Sequence, residues 1–207
     1  MEKRNWKRSV TLKQRMVLCL AAFFAAFALQ LALNGYQARA VQQVQDDQMG
    51  NFNAISRFQG GVESSISILE AYRWENGETE EMLEKLQAAC STSNAWLWRI
   101  RFNMDGLQNV SDEQWVLYGA VETTYGSYSA LLEELEGCLS SGQDAKASQL
   151  YYNKVSVCGG YLSQYTMQLL KASILEAQTT YTEISELGER IALMQIVVVA
   201  LCVALGC

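Results

Sequence analysis

The sequence predicts an all-α fold, in which four helices form an up-down-up-down bundle and the long outer pair continues into two transmembrane helices. Apolar residues recur at alternating steps of three and four along four segments, which is the spacing of helices packed in a bundle. The 207 residues contain no proline, the residue that breaks helix interiors. Two nearly continuous apolar runs, one near each end of the chain, complete the pattern.

The two apolar runs predict membrane-spanning helices at residues 16–33 and 191–207. Gln30 is the one polar residue in the first run, and Gln195 is the one polar residue in the second. A helix needs roughly 17–25 predominantly apolar residues to cross a bilayer. The sequence therefore predicts a two-pass protein of the cell membrane, with a domain at residues 34–190 between the spans.

The distribution of charge predicts the orientation of these spans. Residues 1–15 contain six basic residues and one acidic residue, a balance of +5, whereas residues 34–190 contain ten basic and twenty-one acidic residues, a balance of −11. Basic flanks favour the cytoplasmic side, so we expect residues 1–15 in the cytoplasm and residues 34–190 to be extracytoplasmic. Ala38-Arg39-Ala40 indicates an alternative, a cleaved signal peptide, although the apolar run exceeds the about 7–15 residues of a signal core.

The first two helices of the predicted bundle cover residues 34 to about 74 and about 79–104. Asn76-Gly77 separates them, because glycine commonly follows a helix end. Thr79 can cap the second helix, with Glu80 and Glu81 in its first turn. The apolar series of the first helix is Ile55, Phe58, Val62, Ser65, Leu69 and Tyr72. The series of the second helix is Leu83, Leu86, Cys90, Ser93, Leu97, Ile100 and Met104.

The third and fourth helices are predicted over about 112–140 and 144–190. Ser111 and Gln114 have the spacing of a capping box, and Ser140-Ser141-Gly142 ends the third helix. The third series is Tyr118, Val121, Tyr125, Tyr128, Leu132, Leu135 and Leu139. The fourth is Val155, Cys158, Leu162, Tyr165, Leu169 and Ala172, followed by a displaced series of Leu170, Ile174, Ala177, Tyr181, Ile184, Gly188 and Ile191. We interpret the displacement as a change of packing partner, toward the first helix and a second subunit.

The composition excludes several functions. The chain has no histidine, so it can hold no histidine metal ligand, general base or phosphoacceptor. The acidic domain argues against nucleic acid, which needs a basic surface. The six cysteines form no CxxC or zinc-type pair, and we expect no internal disulfide. No catalytic motif is present, and we predict no cofactor and no metal site.

Four residues are the candidates for ligand binding: Arg57, Arg73, Trp96 and Arg99. Aromatic residues and arginines are enriched at binding sites, and the two arginines of the first helix stand in an acidic domain where they can meet an anion. The alternative is structural, with the aromatic rings in the core, the arginine stems along its edge and the charges paired with carboxylates. The glutamate clusters at residues 78–84 and 133–136 could hold a cation, but a solvated helix face is the simpler interpretation.

The chain resembles the N-terminal sensor region of Gram-positive membrane sensor histidine kinases, in the subclass with a helical outer domain. Residues 11–16, Thr-Leu-Lys-Gln-Arg-Met, resemble the start of such proteins as they run into the first span. The second part is residues 125–190, with the order Tyr128, Leu132, Asp144, Tyr151, Val155, Tyr161-Leu162, Leu169-Leu170 and Tyr181.

The resemblance implies a homodimeric receptor that senses an unknown small extracellular ligand or an accessory protein. It implies a HAMP segment, a kinase core and a cytoplasmic response regulator, none of which this sequence encodes, so we expect the chain to be truncated before the kinase core. The expected function is thus the sensing and signalling module of a two-component system. A chemoreceptor-type ligand-binding domain and a membrane-anchored surface protein without a signalling role are the alternatives.

Overall fold

The described part of the computed structural model, residues 12–72, 79–107 and 110–206, is helical almost throughout and contains no strand. This confirms the all-α prediction. The helices, numbered in chain order, are α1 (Leu12–Ala71), α2 (Thr79–Gly106), α3 (Asp112–Ser140), α4 (Asp144–Leu150), a π-helix (Tyr151–Val155) and α5 (Ser156–Gly206).

The π-helix is a feature that the sequence analysis did not predict. One continuous helix was expected from residue 144 onward, and instead α4 widens at Tyr151 before α5 resumes the α-helical repeat. Ala147, Tyr151 and Val155 are all buried and recur every four residues. This repeat is longer than the 3.6 residues of an α-helical turn, so the wider π turn keeps all three side chains toward the core.

The chain divides into two compact units, and the larger one comprises Val44–Thr179. Its core is built from the four apolar series that the spacing predicts. Every member of the α3 series is buried, and Leu135 and Val121 are fully so. Buried members of the other series include Ile55, Phe58, Val62, Leu69, Leu86, Leu97, Ile100, Met104, Val155, Leu162 and Leu169. Most of the predicted core positions are therefore confirmed, whereas Ile174 and Tyr181 of the displaced series are 39% and 65% exposed.

Tyr128 links three helices within this core. Its ring is 1% exposed, and its hydroxyl lies 2.9 Å from the Ser65 hydroxyl of α1, which in turn donates to the Val62 carbonyl. On the α5 side the ring packs over Gly159, where a Cβ would lie 3.2 Å from Tyr128 Cε2. The absent side chain of Gly159 therefore provides the space for the ring.

The predicted capping box at the start of α3 is confirmed. The Gln114 N–H donates to Ser111 Oγ over 3.3 Å, and the Ser111 N–H donates to Gln114 Oε1 over 3.0 Å. Gln114 is also buried and donates to Ser173 Oγ of α5 over 3.2 Å. The cap thus satisfies the end of the helix and attaches it to α5.

The smaller unit comprises Met1–Gln43 and Thr180–Cys207, of which residues 12–43 of α1 and 180–206 of α5 are described. The two helices approach closely at Gly188, where a Cβ would lie 3.0 Å from Gln37 Nε2. A cavity of about 400 Å³ between them is lined mainly by apolar side chains, with Gln30 and Gln195 as the polar ones. Gln195 Nε2 is buried and has no hydrogen-bond partner among the described residues.

The predicted localisation needs correction. None of the helices in the described residues is both long and apolar enough to cross a bilayer, which contradicts a two-pass protein of the cell membrane with residues 34–190 extracytoplasmic. The prediction relied on the length of the runs at 16–33 and 191–207. Both lie at the short end of the required range, and each contains a glutamine, whose amide is costly to bury in hydrocarbon.

Two adjacent glycines of α1 allow a matched test of the core packing. At Gly61 an added Cβ would lie 2.4 Å from Ser93 Oγ, whereas at Gly60 it meets nothing within 4 Å. We expect Gly61→Ala to lower the free energy of unfolding by about 1–3 kcal/mol through overpacking. Gly60→Ala should raise it by about 0.5–1 kcal/mol, because alanine favours the helix. Urea unfolding followed by circular dichroism measures both, and equal effects would contradict the close contact.

Asn51 allows a second test, because it is fully buried and neither Nδ2 nor Oδ1 has a hydrogen-bond partner among the described residues. Leucine has the same branching without the polar atoms. Asn51→Leu should therefore raise the free energy of unfolding by about 1–3 kcal/mol, the penalty of an unsatisfied buried polar group. Asn53→Leu on the exposed face of α1 is the control, and its effect should stay within about 0.5 kcal/mol. Destabilisation by Asn51→Leu would show that the amide is satisfied in solution.

Candidate functional site

Helices α2 and α3 run antiparallel along one side of the larger unit. Near one end of the pair, Gln87 Nε2 donates to Glu136 Oε1 over 2.7 Å. Near the other end, Arg101 Nη1 lies 3.5 Å from Glu122 Oε1. Both helices belong to the same compact unit, so their facing side chains form a surface of defined geometry.

A groove of about 390 Å³ lies between these helices, and we call it the α2–α3 groove. Its α2 side consists of residues that share one helix face, at spacings of three and four: Asn94, Leu97, Trp98 and Arg101. Its α3 side consists of Tyr118, Glu122, Tyr125, Gly126, Ser129, Ala130 and Glu133. A volume of this size falls in the range of about 300–1,000 Å³ found for small-molecule sites.

Small residues of α3 keep the groove open. Gly126 has no atom within 4 Å of the place where a Cβ would lie, and Ala130 on the next turn adds only a methyl group. Leu97 is 7% exposed and forms an apolar base, whereas the Trp98 residue is 70% exposed at the edge of the groove. An indole so exposed offers a flat apolar surface to a ligand.

One end of the groove is polar and internally paired. Arg101 contacts both Asp105, at 3.9 Å, and Glu122, at 3.5 Å. The Tyr118 hydroxyl donates to Glu122 Oε1 over 3.1 Å. Burial, followed by the neighbouring Glu122 carboxylate, raises the pKa of Tyr118 to about 12. Glu122 therefore already has one cationic and one neutral partner.

The second tyrosine of the groove is also held as a hydrogen-bond donor. The Tyr125 hydroxyl donates to the Cys90 carbonyl of α2 over 2.9 Å, and burial raises its pKa to about 12. Neither phenol ionises near neutral pH, so neither can act there as a base. In the described ranges no three carboxylates or thiols come close enough to hold a metal ion.

The structure brings together only some of the residues proposed from the sequence. Arg57 Cζ lies 5.8 Å from the centre of the Trp96 ring, so these two residues form a cation–π contact between α1 and α2. Trp96 also packs against the hydrophobic core, which favours the structural interpretation. Arg99 stacks instead on Phe102, with Cζ at 5.3 Å from the ring centre. Arg73 lies outside the described residues.

Sequence reasoning missed the groove itself. From the tryptophans and arginines near the end of α2 it selected Trp96 and Arg99, whereas Trp98 and Arg101 of the same group line the α2–α3 groove. A usable signal was present, because Asn94, Leu97, Trp98 and Arg101 occupy one helix face at the bundle spacing. The facing residue Gly126 gave no such signal, since a glycine opposite a tryptophan becomes visible only when the helices are paired.

Comparison with known proteins identifies no relative: no family model, no curated protein and no solved structure matches this chain.

The thiols provide a test of the interior of this unit. Cys90, Cys138 and Cys158 are free cysteines, and burial, followed by the Glu136 carboxylate, raises the pKa of Cys90 from 9.0 to about 11. This rise lowers its thiolate fraction near neutral pH roughly a hundredfold, and the thiolate is the reactive form. We expect Cys90 to alkylate at least about tenfold more slowly in the folded chain than in urea, as measured by mass spectrometry of peptides.

The raised pKa of Cys90 also determines how the stability of the fold depends on pH. The Cys90 thiol keeps its proton to higher pH in the folded chain, so its contribution to stability is complete below pH 9 and is lost as the pH rises toward about 11. In the alkylation experiment, equal rates for the folded chain and the chain in urea would contradict the burial of the Cys90 thiol.

Proposed function

We propose that this chain is the sensing and signal-transmitting module of a two-component sensor histidine kinase, as its sequence resemblance suggests. The observation that carries the proposal is the continuity of two long helices. α1 (Leu12–Ala71) and α5 (Ser156–Gly206) each contribute residues to both compact units without a break in the helix. Small shifts of packed helices are a common switching movement, and a continuous helix can carry such a shift along its length.

The larger unit would be the sensing part. Its four core-forming segments, with α4, the π-helix and α5 counted as one, fit an up-down-up-down bundle in which α2 and α3 form the inner pair. The α2–α3 groove then lies on the pair of helices that does not continue into the smaller unit. A ligand in the groove would change the packing of α2 and α3 on the core, and through it the positions of α1 and α5.

The smaller unit would be the transmitting part. Its described residues, 12–43 and 180–206, lie in α1 and α5, and several of their apolar side chains are exposed, among them Phe24 at 61% and Leu193 at 63%. Apolar surface of this kind marks an interaction site. We propose that a second copy of the chain covers part of it, and that a kinase domain in the same protein would pass the signal to a response regulator.

A chimera tests this function directly. The full chain is fused through Cys207 to the catalytic core of a characterised sensor kinase, and autophosphorylation is measured. Insertion of one to seven alanines before Gly188 rotates the following segment by about 100° per residue. We expect kinase activity to vary with a period of about 3.6 inserted residues, whereas Gly-Ser insertions of equal length should abolish the variation.

The control is the same set of insertions between Ser141 and Gly142, in the turn after α3. Gly142 has a φ of 69° and ends the helix there, so added residues extend a turn and rotate neither long helix. These insertions should leave activity unchanged. Activity that is indifferent to the number of alanines before Gly188 would overturn the proposal.

A further inference from the structure

We propose that the α2–α3 groove binds a small organic cation with a flat apolar body, of the arylalkyl-ammonium class. This inference rests on the proposed sensing function for its biological meaning. The binding itself follows from the shape and charge of the groove. Two features determine the ligand class: an apolar surface that no described residue of the larger unit covers, and a carboxylate, Glu133, without a basic partner among the described residues.

The apolar half of the site has room for a flat ring. Gly126 leaves open space above α3, Leu97 closes the base at 7% exposure, and Trp98 is 70% exposed at the edge. A ring lying over Gly126 would contact Leu97 and stack against the indole. Offset or edge-to-face contact with tryptophan adds to the gain from apolar burial.

The charged half of the site selects the sign of the ligand's charge. The lining contains one basic residue, Arg101, and two acidic residues, Glu122 and Glu133. Arg101 is already engaged with Glu122 and Asp105. Glu133 has no basic side chain within salt-bridge distance among the described residues. It is therefore the carboxylate that is free to meet an ammonium group.

The same contacts argue against other occupants. An anionic ligand would have to separate Arg101 from Glu122 and would face Glu133 as a like charge, which is destabilising. A helix or peptide strand from a partner protein would extend along the helix pair and would have to pass the Arg101–Glu122 pair that joins α2 to α3. A volume of about 390 Å³ suits a small molecule.

The probe is phenethylamine, and titration calorimetry on the purified full chain measures its affinity. Phenylacetate and butylamine are the matched ligands, the first with the opposite charge and the second without the ring. We expect saturable binding of phenethylamine, and binding at least about tenfold weaker for both comparison ligands, because each lacks one of the two complementary features.

A glycine pair tests the shape of the groove. Gly126→Leu fills the open space and should weaken phenethylamine binding by about tenfold or more, because the new side chain occupies the position of the ring. Gly137→Leu is its control, since Gly137 also lies in α3 with nothing within 4 Å of an added Cβ and does not line the groove. Circular dichroism checks that both variants keep their helix content.

A glutamate pair tests the charge. Glu133→Gln should weaken binding of phenethylamine by about two- to fivefold, the scale of an exposed ion pair, and added salt should weaken binding to the wild type but have less effect on this variant. Glu134→Gln is the control, because Glu134 is also exposed and lies next to Glu133 outside the groove. Its affinity should equal that of the wild type.

Three results would overturn the inference: no saturable binding of phenethylamine, equal binding of phenylacetate, or binding that Gly126→Leu leaves intact. The outcome is separate from that of the kinase chimera. Binding without any effect on chimera activity would retain the ligand class and refute the sensing role. A chimera that responds to alanine insertions but a groove that binds no cation would retain the signalling module and refute the ligand.

Discussion

The packing of Tyr128 at the centre of the larger unit is the constraint on which the rest of the structure depends. Its hydroxyl is bonded to Ser65 of α1, and its ring fills the space that Gly159 of α5 leaves open. Burial raises the pKa of this phenol well above its usual range, so it remains a neutral hydrogen-bonding group. Because one side chain of α3 contacts α1 and α5 together, the position of α3 is coupled to that of both long helices.

This coupling is the physical basis for the sensing role that we propose for the α2–α3 groove. The groove and Tyr128 share helix α3, and Tyr125, which lines the groove, bonds to the backbone of α2 at Cys90. If a ligand shifted α3 by a fraction of an ångström, the opposite side of α3 would press against close-packed core residues.

The fold was largely predictable because burial follows the spacing of apolar residues. The α3 series from Tyr118 to Leu139 is buried at every member, and the Ser111–Gln114 capping box forms with the expected hydrogen bonds. The π-helix at Tyr151–Val155 escaped prediction because its four-residue repeat differs from the α-helical one only slightly. The membrane prediction was wrong because it relied on run length, although each run contained a glutamine and was near the minimum for a span.

The candidate site depends on contacts between helices, which the spacing of residues within one segment does not reveal. Sequence composition alone singled out arginines and tryptophans of α2, but Trp96 packs against the core while Trp98 borders the groove. The sequence by itself determined the helical class, most of the core-facing residues and the Ser111–Gln114 cap of α3, since these depend on spacing along one segment. Tertiary structure alone decided that Gly126 opens a groove beside Trp98, that Arg101 is neutralised by Glu122, and that Arg57 meets Trp96. These contacts join distant parts of the chain, and their geometry exists only once the helices have packed.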